Sequence, residues 1–181
     1  MSNNAFLFAT RAPEVCESPT ETEHLLWTGP NMLPVLWAGA FRLSDLVTVV
    51  RDGAEATQLF APKPVALSAC RAFQAGLRSS PRVRGLGSFL TTFENSVANL
   101  PGEGLQLDDY ELQCMIGTAE NKAWLTNCLA FVEDVAQSRV SGDAIFDSEG
   151  ARELFDQAQV DLKDWSTHIG WQASLLGHGQ P

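Results

Sequence analysis

Apolar residues recur along this chain with two different periods, and the change from one to the other falls near residue 62. The first third has the pattern of strands. Ala5 to Thr10 is a short aromatic-bearing run, and the Pro-, Glu- and Thr-rich stretch from Pro13 to Glu23 reads as the loop that follows it. Leu25-Leu26-Trp27-Thr28 predicts a second strand closed by Gly29-Pro30. Pro34 suits the first turn of a short helix carrying Val35, Leu36, Trp37 and Phe41, where its fixed φ and missing N–H are harmless. Leu46-Val47-Thr48-Val49-Val50 is rich in β-branched residues, Asp52-Gly53 is a favoured two-residue hairpin turn, and Ala54 to Phe60 can return antiparallel.

Beyond Pro62 and Pro64 the period becomes helical. Ala66, Cys70, Phe73 and Leu77 share one face of a helix from Val65 to Arg78, with Arg71, Gln74 and Arg78 on the other, until Ser79-Ser80-Pro81 breaks it. Leu86, Phe89, Leu90, Phe93, Val97 and Leu100 predict a second helix that stops at Pro101-Gly102. Leu105-Gln106-Leu107 reads as a short strand. Asp108 and Glu111 have the spacing of a capping box, in which each side chain satisfies an exposed backbone donor at a helix start. Thr118 is placed to cap a further helix bearing Trp124, Leu125, Cys128, Leu129, Val132 and Val135 and ending near Ser138. After Ser141-Gly142-Asp143, Ser148 can open a last helix with Ala151, Leu154, Phe155, Ala158, Leu162 and Trp165 on one face, extended by His168 to Trp171.

These elements predict one α+β domain spanning residues 1–181: a small antiparallel β portion in 1–62, an antiparallel helical assembly in 63–176 and a flexible tail in 177–181. Most residues should be helical. A chain of 181 residues, 45% apolar and 19% charged, is long enough for its own core and too apolar for wholesale disorder.

Charge narrows the class of partner. The net charge is −10, which argues against nucleic acid, because a polyanion is held by cations that neutralise its phosphates. By segment, residues 1–62 sum to −4, residues 63–84 to +5 (Lys63, Arg71, Arg78, Arg82 and Arg84) and residues 85–181 to −11. The second half is the acidic pole, and its complement is a basic protein; plain solubility is the bland alternative. Cys16, Cys70, Cys114 and Cys128 are far apart and form no Cys-x-x-Cys pair, which fits reduced thiols, with Cys70 and Cys128 on apolar helical faces. Met1 to Thr10 lacks the basic start of a signal peptide, and no stretch has the apolar length of a membrane span. A cytoplasmic location without membrane contact is expected.

Each candidate for chemistry has a simpler structural reading. His168 lies four residues after Asp164, within helical reach of a carboxylate that would raise its basicity, but Ser166 is on another face and no Gly-x-Ser-x-Gly turn exists. A surface ion pair near a helix C-terminus accounts for the pair. His24, beside Glu23 and near Glu21, lacks the further ligands of a metal set. Glu133-Asp134 and Asp108-Asp109 are adjacent in sequence and so point about 100° apart on a helix, which suits solvated charge better than an acid–base dyad. Gly85-Leu86-Gly87, with Arg82 and Arg84 nearby, lacks the third glycine of a phosphate-binding turn. No catalytic residue, cofactor or metal is assigned. Trp124 and Trp165 fall on apolar faces, while Trp27 and Trp37 flank turns and could anchor an interface or cap the small sheet.

The opening Asn3-Asn4-Ala5-Phe6-Leu7-Phe8-Ala9-Thr10, Trp27, Leu33-Pro34-Val35-Leu36-Trp37 with Phe41, and the run Leu107-Asp108-x-x-Glu111-Leu112 resemble segments of small bacterial immunity proteins that accompany secreted toxins. The likeness covers about a quarter of the chain and consists of short motifs. It implies a cytosolic, non-catalytic protein that binds a toxin domain and occludes its active site. The charge agrees, since a cationic cleft built for phosphates can be filled by an acidic plug. The expected contacts are Glu103, Asp108, Asp109 and Glu111 at a turn and helix start, together with Asp143, Asp147, Glu149, Glu153 and Asp156. A small enzyme or ligand-binding domain with a dispersed site, or a secretion adaptor or chaperone, is the alternative.

Overall fold

The computed structural model describes residues 4–16, 24–30, 34–81, 83, 87–147 and 178–179. Their fold is α+β: an antiparallel sheet carrying helices against a shared core. The strands are β1 (Asn4–Thr10), β2 (His24–Pro30), β3 (Leu46–Arg51), β4 (Ala54–Pro62), β5 (Gly104–Asp108) and a two-residue β6 (His178–Gly179), in the order β3-β4-β5-β1-β2-β6. The helices are α1 (Val35–Ala38), α2 (Lys63–Leu77), α3 (Gly87–Ala98), α4 (Tyr110–Ile116) and α5 (Thr118–Ala136).

The two sequence halves are interleaved rather than set side by side. β5 comes from the helical half, yet it lies between β4 and β1, with Leu107 paired to both Leu59 and Leu7 and Leu105 to both Ala61 and Ala9. Its five residues are all buried, which is why so short an apolar run is a central strand. Alternation then sorts the sheet: Leu7, Ala9, Leu59, Ala61, Leu105 and Leu107 join Phe73, Leu90, Phe93, Leu125 and Leu129 from the helices in one core. Trp37 is fully buried there, and Trp27 stacks on Phe93 with ring centroids 5.6 Å apart, so both indoles pack inward.

The helical pairing relies on small residues. α2 and α5 approach so closely at Gly76 that a Cβ there would stand 2.2 Å from the Val135 carbonyl oxygen. Buried Gln74 ties α2 to α3 by donating to the Leu90 carbonyl at 2.9 Å. Two side chains of the basic segment are spent locally: Arg71 is paired to Glu94 of α3 at 2.8 Å and Lys63 Nζ donates to the Leu100 carbonyl.

Two glutamine side chains stand in for missing strands. β5 leaves the sheet after Asp108, and beyond the Leu59–Leu107 pair the edge of β4 is taken up by Gln113 of α4. Its Oε1 accepts the Thr57 N–H at 2.9 Å and its Nε2 donates to the Glu55 carbonyl at 3.3 Å. On the sheet, Gln106 does the same for the segment after β1, accepting the Cys16 N–H and donating to the Cys16 carbonyl, both at 2.8 Å. Each carboxamide offers one donor and one acceptor, as a peptide group does.

Two expected caps are replaced. Asp108 Oδ1 accepts the Tyr110 N–H at 3.0 Å, but Glu111 reaches across to the Asn4 N–H at 2.7 Å, so the reciprocal box does not close. Thr118 is inside α5; the break between α4 and α5 is Gly117, whose φ of +96° an L side chain would strain to adopt. The predicted helix from Ser148, with Asp164, Trp165, His168 and Trp171, lies outside the described residues, as do Arg82, Arg84 and Gly85.

Candidate partner-binding surface

The acidic side chains expected to meet a partner separate into four groups. Asp108 and Asp109 are buried, at 2% and 0% exposure, and cannot present charge to another molecule. Their position explains this: they join the central strand to α4, under the β3–β4 hairpin. Asp108 is ion-paired with Arg51 of β3, whose guanidinium also lies 4.8 Å from the centre of the Tyr110 ring. Glu111 is half-buried and used on Asn4. Glu103, Asp143 and Asp147 are exposed, and of these Asp143 accepts the Ser80 hydroxyl at 2.7 Å. Glu149, Glu153 and Asp156 lie outside the described residues.

Asp109 is the most perturbed of these groups. Its Oδ2 accepts from Asn121 Nδ2 of α5 at 2.9 Å, while Asp109 Oδ1 and Asn121 Oδ1 are both buried without a donor. Burial pushes its carboxyl up to about 7, the Asn121 bond opposing and the Asp108 charge adding to the rise. At neutral pH the group sits near its midpoint. In the acid form its hydroxyl supplies the donor this polar pocket lacks.

The exposed acids that make no ion pair or hydrogen bond among the described residues lie in part at one end of the sheet. Asp52 is at the hairpin tip and Glu55 follows it on β4, both exposed, and Glu120 is exposed in the first turn of α5. Gln113 binds these elements together, bonding the Glu55 carbonyl and, at 3.2 Å, the Thr118 hydroxyl. Beside it on α4, Met115 and Ile116 are 61% and 46% exposed. Exposed large apolar side chains with carboxylates on the elements packed against their helix have the make-up of a protein-binding surface, where an apolar centre supplies affinity and a charged rim supplies selectivity. The hairpin was legible from Asp52-Gly53, but Asp52, Glu55 and Glu120 were not among the acids expected to meet a partner. Arg51, Gln113 and the Met115-Ile116 pair carried no sequence signal, because their roles depend on where α4 crosses the end of β4.

The remaining candidates stay apart. His24 is in β2, and no group of three or more His, Cys, Asp or Glu side chains converges among the described residues. Glu133 accepts the Leu43 N–H at 2.9 Å and Asp134 pairs with Arg139 at 2.6 Å, so that adjacent pair is structural. The four cysteines form no disulfide, Cys70 and Cys128 being buried and Cys114 exposed. Burial holds the Cys70 thiol up at about 12. A cavity of about 210 Å³ between α2 and α5, floored by Phe41, Ala69, Ala72 and Val132, is below the size of small-molecule pockets. No described helix is long and apolar enough to cross a membrane.

Comparison of the chain with protein-family models, with curated proteins and with solved structures returned no match.

Proposed function

We propose that this chain is a non-catalytic immunity protein, which binds a cognate bacterial toxin domain and neutralises it by setting carboxylates against a cationic active-site cleft. The observation that carries the reading is the exposed Met115-Ile116 pair of α4, with exposed Asp52, Glu55 and Glu120 on the β3–β4 hairpin and on α5, the elements that contact α4. Two facts support it: the acidic balance of the whole chain, and the resemblance of its opening and of Leu107 to Leu112 to proteins of that class. The rim charges would accelerate encounter with a basic surface, and the apolar pair would hold the complex once water is excluded. The partner is a cytoplasm-reaching toxin domain with a basic cleft, and the contact involves neither nucleic acid nor membrane.

The test is growth protection. A protein captured with the tagged chain is expressed alone, and then with either the wild type or Asp52→Lys/Glu55→Lys/Glu120→Lys. Arrested growth restored by the wild type and not by the triple variant is the expected outcome. A captured protein that is harmless when expressed alone, or equal protection by both chains, rejects the assignment.

A further inference from the structure

α4 depends on its neighbours to stay in place, because its seven residues are too few for a helix to stand by itself. At its C-terminal end Gly117, with φ of +96°, turns the chain directly into α5. Midway, Gln113 bonds it to β4. At its N-terminal end the tie to α5 is one pair of fully buried side chains, joined by the 2.9 Å bond from Asn121 Nδ2 to Asp109 Oδ2. The two atoms left over in that pair are both acceptors, since Asp109 Oδ1 and Asn121 Oδ1 are buried without a donor. An aspartate directly before a helix ordinarily accepts N–H groups of the first turn, but Asp109 makes no such cap, and the Tyr110 N–H goes to Asp108. One proton on Asp109 Oδ1 satisfies both oxygens. The acid hydroxyl then donates to the Asn121 carbonyl oxygen while the amide donates to the acid carbonyl, the two-bond ring of a carboxylic acid–carboxamide pair. An ionised carboxylate would instead set two acceptor oxygens together out of reach of water.

The charged and titratable groups of the elements around the pair leave this proton to Asp109. On β5 Asp108 is the charge that acts on it, and favours the acid, although Arg51 of β3 pairs with Asp108. On α4 Glu111 is turned to Asn4 of β1, Tyr110 to Arg51, and Cys114 is exposed beside Tyr110. On α5 Glu120 reaches to Gly117 and Lys122 is exposed, and on β4 Glu55 is exposed.

We infer that Asp109 and Asn121 form a proton-dependent latch, closed while the neutral acid is paired with the amide, whose release frees α4 to move away from α5 about a hinge at Gly117. The sign of the response follows from where the proton is held. Burial keeps it on Asp109 in the closed state up to about pH 7, whereas an opened α4 exposes the carboxyl to water and returns it to 3.8. Opening therefore releases a proton between these values. It becomes easier by about tenfold per pH unit as pH rises towards 7, and changes no further above it. The latch belongs to the fold and does not depend on the proposed function. Because α4 carries the exposed Met115 and Ile116, the same proton sets how firmly that pair is held in place.

Hydrogen exchange of the full chain, followed by mass spectrometry from pH 5 to 8.5 and corrected for the intrinsic rate at each pH, tests it. The amides of α4 are expected to open more readily than those of α2 at every pH. Their opening constant should climb by up to about tenfold per unit towards pH 7 and level off above it. In Asp109→Asn, whose amide keeps both bonds without ionising, the climb should be absent, and unchanged far-ultraviolet circular dichroism verifies the fold. The carboxyl carbon resonance that this substitution removes should titrate near neutral pH in the wild type. If α4 and α2 open with the same constant, release takes unfolding of the whole chain and the latch is overturned. An opening constant that does not change with pH, or a resonance that titrates near pH 4, also overturns it. The carboxylate is then ionised in the fold and satisfied by water, for which Trp124 Nε1, buried without an acceptor one turn along α5 from Asn121, is the further partner. The wild-type measurements decide the matter even if the variant does not fold.

Discussion

Replacing Asp109 with asparagine should make the protein more stable above neutral pH and remove the share of its pH dependence between pH 4 and 7 that this carboxyl supplies. The carboxyl is fully buried, one oxygen bonded to Asn121 and the other without a donor, and its folded value is raised from 3.8 to about 7. Between those values the folded state holds a proton that the unfolded chain has released. Stability from this group is therefore full below pH 4 and falls as pH rises towards 7, by about 1.4 kcal/mol per unit. Three units give a ceiling of about 4 kcal/mol, and local relaxation reduces it to about 2–4 kcal/mol. Asparagine keeps the acceptor for Asn121 Nδ2 and, having an amide donor of its own, offers a partner to Asn121 Oδ1 without ever ionising. Urea unfolding of both proteins at half-unit steps from pH 4.5 to 8.5 measures the effect. The midpoints should be closest at pH 4.5 and separate further as pH rises to about 7, the variant being the more stable. A constant loss of stability in Asp109→Asn at every pH would refute the reasoning, because it would mean that the ionised carboxylate is the stabilising form.

Other substitutions probe the supports of the proposed surface. Gln113→Ala leaves the Thr57 N–H and Glu55 carbonyl on an unpaired stretch of β4, and should cost about 2–3 kcal/mol in urea unfolding. Arg51→Ala strands the buried Asp108 carboxylate and should cost about 3 kcal/mol, read from the same titration at pH 7. Gly76→Ala pushes a methyl into the Val135 carbonyl, so despite the better helix propensity of alanine the unfolding midpoint should fall, by about 1–3 kcal/mol in stability.

Local signals in the sequence were enough for the elements whose side chains repeat with a clear period. The helical stripes of Ala66, Cys70, Phe73 and Leu77 and of Leu125, Cys128, Leu129 and Val132 are buried as a 3.6-residue period requires, and the Asp52-Gly53 hairpin forms where its turn chemistry puts it. The central place of β5 was not legible. Three apolar-edged residues cannot announce that they will be flanked on both sides, because that depends on pairing with β1, about a hundred residues earlier. The same long-range contact misled the reading of charge. Asp108 and Asp109 are sequence neighbours at a helix start, where carboxylates are commonly solvated, but the crossing of Arg51 over Asp108 and of α5 over Asp109 encloses them. Glu111 had the spacing of a capping residue and found a better donor in Asn4. Density of charge did not separate the exposed acids from the enclosed ones: Asp52 and Glu55 are exposed on the hairpin and were not singled out.

The most direct test of the central claim is the interaction of the tagged full chain with a basic toxin domain, measured by association rate at low and high ionic strength for the wild type and for Asp52→Lys/Glu55→Lys/Glu120→Lys. The domain used is the stoichiometric protein captured from the native cell whose expression alone stops growth. The account predicts fast association at low salt that slows as salt rises, and a triple variant slowed at least tenfold at low salt with little remaining salt dependence. Association that is insensitive to salt, or a triple variant that binds as fast as the wild type, would contradict it.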